Sequence, residues 1–110
     1  MSIVYLSGTY MPMEEAHVSP LDRGFLFGDG IYEVIPSYAG KMVGFGPHID
    51  RMIEGLAALE IELNWSHDEW RELCQELIQR NPNTQVGLYL HVTRGVVALS
   101  HSSQVKLGEK

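Results

Sequence analysis

The stretch that most limits what this chain can become runs from Ser19 to Glu33: Ser-Pro-Leu-Asp-Arg-Gly-Phe-Leu-Phe-Gly-Asp-Gly-Ile-Tyr-Glu. It sets Gly24, Gly28 and Gly30 among two aspartates and an arginine, then runs straight into a strand-like pattern. Glycine at that density supplies positive φ and close backbone approach, which a plain surface connection seldom needs. Asp22 and Asp29 suit the role of acceptors for nearby backbone N–H groups, and Arg23 that of their ion partner. On spacing alone, such a shaped turn is favoured over a chemical role.

Around that stretch the chain reads as alternating hairpins and helices. Ile3 to Leu6 and Thr9 to Met13 flank Ser7-Gly8, a hairpin signature, with Pro12 marking an edge or an early end. Ile31 to Tyr38 has apolar residues on both sides and predicts a strand covered on both faces, with a bulge or edge at Pro36. Ala39-Gly40-Lys41 turns the chain, and Met42 to Phe45 is expected to return as its partner. Gly46-Pro47 predicts a helix start with proline first, and the buried face takes Ile49, Met52, Ile53, Leu56 and Ala57 to an end near Leu63-Asn64. Ser66 with Glu69 is a capping box for a second helix whose apolar set is Trp70, Leu73, Cys74, Leu77 and Ile78, stopped by Asn81-Pro82. Val86 to Thr93 alternates as a final strand, closed by Arg94-Gly95. The fold class is therefore α+β: a two-layer sandwich of antiparallel hairpins and strands packed on two helices.

Size and charge narrow the functions. At 110 residues, 45% of them apolar, this is a single small domain. A net charge of −6 argues against a nucleic-acid or anionic-membrane surface and leaves small molecules or a second copy as partners. One cysteine allows no internal disulfide, and no run approaches the ~18 apolar residues of a membrane span, so a cytoplasmic, soluble protein is expected. Cys74 falls on an apolar helix face and reads as core. His17, among loop residues, reads as solvated or capping. No metal-ligand spacing occurs, so a stand-alone acid-base or metal enzyme built on Asp22, Asp29, Glu33 and His48 is the weakest reading.

The string Asp22-Arg-Gly-Phe-Leu-Phe-Gly-Asp-Gly-Ile-Tyr-Glu33, then Val-Ile-Pro-Ser-Tyr38 and His48-Ile-Asp-Arg51, resembles the N-terminal domain of the class IV aminotransferases. These are pyridoxal-phosphate enzymes of fold type IV, and the wording is most similar to their D-amino-acid members. The resemblance implies that Arg51 grips the cofactor phosphate, a task suited to paired guanidinium N–H donors. It implies that His48, one helical turn earlier, positions the same site, and that Tyr32 lines the substrate pocket. The residues themselves leave open a solvated Arg51 paired with Asp50 or Glu54, a solvated His48, and a Tyr32 that merely packs in the core.

The resemblance covers residues 1–95 as the family's N-terminal domain and implies that the lysine forming the Schiff base with the cofactor lies in a second, C-terminal domain. Lys106 and Lys110 sit in a polar stretch, residues 96–110, read as a divergent, disordered tail. His101 resembles a family histidine of the substrate-carboxylate trap, although Leu99 stands where an arginine is expected. Arg94 is expected to be structural or anion-binding. The implied activity is transamination between D-amino acids and 2-oxo acids by the complete, homodimeric enzyme. The chain alone is expected to be inactive and not to retain the cofactor. The alternative is a non-catalytic dimerising or ligand-binding module on the same scaffold.

Overall fold

The computed structural model describes residues 2–83 and 85–96. The chain opens with the predicted hairpin, β1 (Ile3–Leu6) and β2 (Thr9–Pro12), in the register Ile3 to Pro12 and Leu6 to Thr9. A 3-10 turn at Met13–Glu15 follows, then a five-residue helix, α1 (Arg23–Phe27). A second antiparallel sheet holds β3 (Gly30–Tyr38), β4 (Lys41–Met42) and β5 (Gln85–Thr93) in the order β4-β3-β5. Between β4 and β5 come α2 (Phe45–Ala58) and α3 (His67–Arg80). This is the expected α+β architecture, with the helices on one face of the three-stranded sheet.

The core lies between β3 and β5 on one side and α2 and α3 on the other. Ile35, Ile49, Met52, Trp70, Cys74 and Val92 are fully enclosed. Each large apolar side chain so removed from water contributes about 1.5–3 kcal/mol of transfer free energy. Along α2 the buried face is Phe45, Ile49, Met52 and Leu56, whereas Ile53 and Ala57 reach solvent. On α3 the innermost residues are Trp70, Leu73 and Cys74, with Leu77 and Ile78 partly covered. The hairpin is attached separately: Tyr5 packs against Tyr10 and Trp65, and the Asn81 carboxamide accepts from Ile3 N–H and donates to its carbonyl.

Several expectations are corrected. The stretch around the glycines is not only a loop: Asp22 caps α1 by accepting from Gly24 N at 2.8 Å, and Gly28 ends it at φ 64°. β3 is covered on one face only; Ile35 and Ser37 are buried on the helix side, while Tyr32, Val34 and Tyr38 lie exposed on the other. β4 stops at Met42 because Gly44, at φ 71°, caps α2, which begins at Phe45 rather than Pro47. Pro47 thus sits third in the first turn, where its missing N–H still costs no helical bond. That same helix ends at Ala58, not near Leu63, since Glu60 takes φ 56° and leaves helical geometry. No bulge occurs at Pro36, which pairs with Gly87 in unbroken register. The Ser66–Glu69 capping box is formed in both directions.

Candidate functional site

Strand alternation puts Glu33 on the same face of β3 as Ile35, against α2. A carboxylate held there needs a cation, and α2 supplies two groups one turn apart. His48 Nδ1 lies 2.6 Å from Glu33 Oε1, Arg51 Nη2 donates to that oxygen at 2.9 Å, and Arg51 Nε donates to Oε2 at 3.2 Å. With Nδ1 carrying its proton toward Glu33, the 3.0 Å approach of Arg51 Nη2 to Nδ1 is a contact between two donors sharing one acceptor. The Arg51 hydrogen bond, opposed by burial and aided by His48, holds the Glu33 carboxyl below the usual glutamate range. Glu33 in turn raises Arg51 further.

Among the described residues, this triad sits at an open edge of the sheet. β4 pairs only with Ser37 and Tyr38, so among the described residues β3 has no neighbour on that side from Gly30 to Val34. α2 closes in because Gly55 has no side chain; a Cβ there would stand 2.8 Å from Ile31 Cδ1. What results is a shallow hollow of about 530 Å³ lined by Gly30, Ile31, Tyr32, Glu33, Arg51 and Gly55 among others. The Arg51 side chain is 59% exposed there, and no described residue accepts from its Nη1. Glu33 therefore orients the guanidinium while leaving donors for an external anion, and a phosphate group fits that donor set.

The structure brings three of the four sequence-predicted residues together. Arg51 and Tyr32 share the hollow, and His48 buttresses it through Glu33. Arg51 pairs with neither Asp50, which contacts His67 at 2.8 Å, nor Glu54. Tyr32 is 62% exposed, hence no core residue, and stacks on Tyr89 with ring centroids 5.8 Å apart. His101 lies outside the described residues, as does the proposed tail beyond Val96. Glu33 is the residue whose part the sequence reading missed: its signal was a charged group at the strand position facing a helix that carries His48 and Arg51.

Arg94 is structural. It donates from Nε to Asp29 Oδ2 at 2.7 Å and from Nη2 to the Leu59 carbonyl, tying the end of β5 to the end of α2. Arg23 donates to the same Asp29 oxygen at 3.0 Å. Burial would raise the Asp29 carboxyl, but the bonds and charges of Arg94 and Arg23 outweigh it and bring it below its ordinary value. Cys74 is buried, its thiol pushed up to about 12 by desolvation. No group of three or more His, Cys, Asp or Glu side chains among the described residues could hold a metal ion, and no described helix is long and apolar enough to cross a membrane.

The fold is thus an α+β domain with an exposed arginine at a sheet edge, oriented by a strand carboxylate, in a hollow that Tyr32 also lines. The family described as Amino-transferase class IV matches residues 30–107, and the chain belongs to it. It is 36% identical over 102 residues to the D-alanine aminotransferase of Staphylococcus haemolyticus, covering 93% of this chain and 36% of that protein. Against the D-alanine aminotransferase of Listeria monocytogenes the identity is 39% over 93 residues, covering 84% and 32%. The fold superposes on the Escherichia coli branched-chain amino acid aminotransferase with a TM-score of 0.84 at 18% identity, covering 94% of this chain and 38% of that one. The branched-chain aminotransferase of the thermophilic archaeon Thermoproteus uzoniensis, solved with norvaline, gives a TM-score of 0.79 at 18% identity, covering 91% and 35%. The chain thus spans about a third of the length of the curated relatives it matches.

Proposed function

We propose that this chain supplies the N-terminal part of a pyridoxal-phosphate-dependent transaminase acting on D-amino acids and 2-oxo acids. The observation that carries the reading is Arg51, held by Glu33 at the rim of the β3 hollow with spare donors beside Tyr32. In it, Arg51 receives the cofactor phosphate, His48 and Glu33 fix the guanidinium, and Tyr32 offers a phenol and an apolar wall to the substrate. The cofactor, when bound, supplies the electron sink for the amino-group chemistry. His101 is assigned to the substrate carboxylate by resemblance alone.

The lysine that anchors the cofactor is proposed to come from the polypeptide that occupies the other two-thirds of the relatives. Lys41, the sole lysine among the described residues, stands on β4 and does not line the hollow. A second reading, a non-catalytic dimerising module, draws on the exposed apolar face of Tyr32, Val34, Tyr38 and Tyr89.

The test mixes the purified chain with the C-terminal portion of a staphylococcal D-alanine aminotransferase and pyridoxal phosphate, then follows transfer from D-alanine to a 2-oxo acid. Turnover that needs both pieces and is lost with Arg51→Ala supports the transaminase reading. Turnover by the 110-residue chain unaided, or turnover indifferent to Arg51→Ala, overturns the roles assigned here. No turnover together with a stable dimer of the chain favours the module.

A further inference from the structure

The face of the sheet turned away from the helices carries an imidazole among its phenols. Tyr32 on β3 stands directly across from His91 on β5, and period-two alternation sets Tyr89 on the same face, two residues before His91. The three rings form one cluster. Tyr32 stacks on Tyr89, and the imidazole meets both phenols edge-on, with centroids 6.3 Å from Tyr32 and 5.6 Å from Tyr89. The Tyr89 hydroxyl and His91 Nδ1 lie 3.2 Å apart, within hydrogen-bond distance.

Backbone seats the imidazole from its other side. Gly30 has no side chain, and a Cβ there would stand 3.2 Å from His91 Nε2, so the ring rests over the start of β3 with Nε2 toward Gly30 and Nδ1 toward Tyr89. His91 is partly covered, whereas Tyr32 and Tyr89 are well exposed. The ring that can take up a proton is thus enclosed, and the phenols beside it meet solvent.

What Tyr89 offers outward depends on the state of Nδ1. A neutral imidazole with its proton on Nε2 accepts at Nδ1 from the Tyr89 hydroxyl, which then turns only lone pairs to solvent. An imidazolium carries protons on both nitrogens, so Nδ1 donates to the Tyr89 oxygen and the phenol O–H is released to donate elsewhere. One proton taken up by His91 therefore makes an outward donor of Tyr89, beside the Tyr32 ring.

The groups facing His91 set where this happens. Among the described residues these are the phenols of Tyr32 and Tyr89 and the carboxylate of Asp22, the N-cap of α1. Burial brings His91 below its ordinary value of 6.5 and outweighs the Asp22 charge, which acts in the opposite sense. At pH 7 the ring is therefore neutral, and the charged form gains ground only as pH falls below 6.5.

We propose that His91 is a positioning residue that sets the hydrogen-bonding sense of the Tyr89 hydroxyl, so that an anionic group of a ligand beside Tyr32 gains a donor only when His91 is protonated. The change of sense stands on the Tyr89–His91 pair alone. Its effect on a substrate rests on the transaminase reading, in which Tyr32 lines the pocket.

NMR of the 110-residue chain tests the change of sense by following the carbon signals of His91 Cε1, Tyr89 Cζ and Tyr32 Cζ from pH 8 to pH 5. The expected result is that Tyr89 Cζ moves with the midpoint of His91 and that Tyr32 Cζ, edge-on to the same ring without a hydrogen bond to it, moves far less. In His91→Gln, whose amide keeps a hydrogen bond but takes up no proton, Tyr89 Cζ stays flat. A Tyr89 signal that is flat in the parent, or that moves no more than Tyr32, overturns the proposal. The effect on substrate is read in the two-piece transfer assay as the KM for D-alanine of the parent relative to that of His91→Gln. That ratio is expected to fall about fivefold from pH 7.5 to pH 5.5 with the kcat ratio constant, and to lose the fall when both carry Tyr89→Phe. A KM ratio indifferent to pH, or a fall that survives Tyr89→Phe, overturns the part given to His91 at the substrate. Absence of all turnover counts against the transaminase reading instead, and the Tyr89 titration then decides the change of sense by itself.

Discussion

Replacing Glu33 with glutamine isolates the charge that organises the site. Glu33 is 12% exposed and receives three hydrogen bonds, one from His48 at 2.6 Å and two from Arg51 at 2.9 and 3.2 Å. Charged hydrogen bonds in partly covered places contribute about 1.5–3 kcal/mol, but Arg51 is well exposed and its pairing is screened. Glutamine keeps an acceptor for one donor, so the expected loss at pH 7 is about 1–2 kcal/mol, mostly from the His48 side. With a urea m-value of about 1.2 kcal/mol/M for a domain of this size, the midpoint falls by about 1 M. The folded Glu33 titrates below its ordinary value of 4.5, so its contribution is whole above that value and disappears as pH falls through the lower, folded one. The parent and the variant should therefore converge in acid. Urea curves at half-unit steps from pH 7 to pH 3, followed by circular dichroism, measure this. A difference that is zero at pH 7, or that persists undiminished at pH 3, would refute the triad as the source of the effect.

Two other outcomes follow from the packing. Cys74 is fully enclosed with its thiol pushed up to about 12, so a maleimide or disulfide reagent at pH 8 should label the native chain only as fast as it opens, and at once in urea. Gly30→Ala sets a Cβ 2.6 Å from the Val92 carbonyl, a backbone atom that cannot turn aside, and should cost about 1–3 kcal/mol. Gly46→Ala, with nothing within 4 Å and a helical backbone, should instead stabilise by about 0.5–1 kcal/mol. Thermal melts of the pair decide between these signs.

Much of the fold was legible because the strongest signals were local. Ser66 and Glu69 are three residues apart and satisfy each other's backbone, and the Ser7-Gly8 turn joins two strands that pair directly with each other. The errors fell where a distant partner decides. Ile31 to Tyr38 looked doubly covered because apolar residues stand on both sides, yet Tyr32, Val34 and Tyr38 face away from both helices. No pattern within a strand says which face the chain will cover. Helix α1 escaped notice because three of its neighbours are glycine or aspartate, and its cap at Asp22 works over only five residues. Of the site, Arg51 and His48 were found through resemblance. Their carboxylate partner is 15 to 18 residues away, whereas the carboxylates near in sequence, Asp50 and Glu54, are one to three residues from Arg51.

The arginines near β3 differ in how each guanidinium is held. Arg94 spends Nε on Asp29 and Nη2 on the Leu59 carbonyl and is 18% exposed, so it joins β5 to α2. Arg23 shares Asp29 and lays its guanidinium over the Phe27 ring at 4.8 Å. Both cations serve one carboxylate that the glycine-rich segment holds in place, and Arg23 gives it only its Nε. Arg51 differs because its carboxylate belongs to the strand beneath it and also accepts from His48, so the fork is steered from one side only. Among the described residues the short β4 leaves the β3 edge clear, and Gly55 lets α2 lean over it. An incoming phosphate would therefore meet a guanidinium already oriented, at little further cost in side-chain entropy. Arg51→Lys keeps the charge but cannot donate to Glu33 through two nitrogens, so it should restore little of what Arg51→Ala removes in the two-piece transfer assay. Full restoration by lysine would mean that bulk charge, and not the oriented fork, is what the site offers.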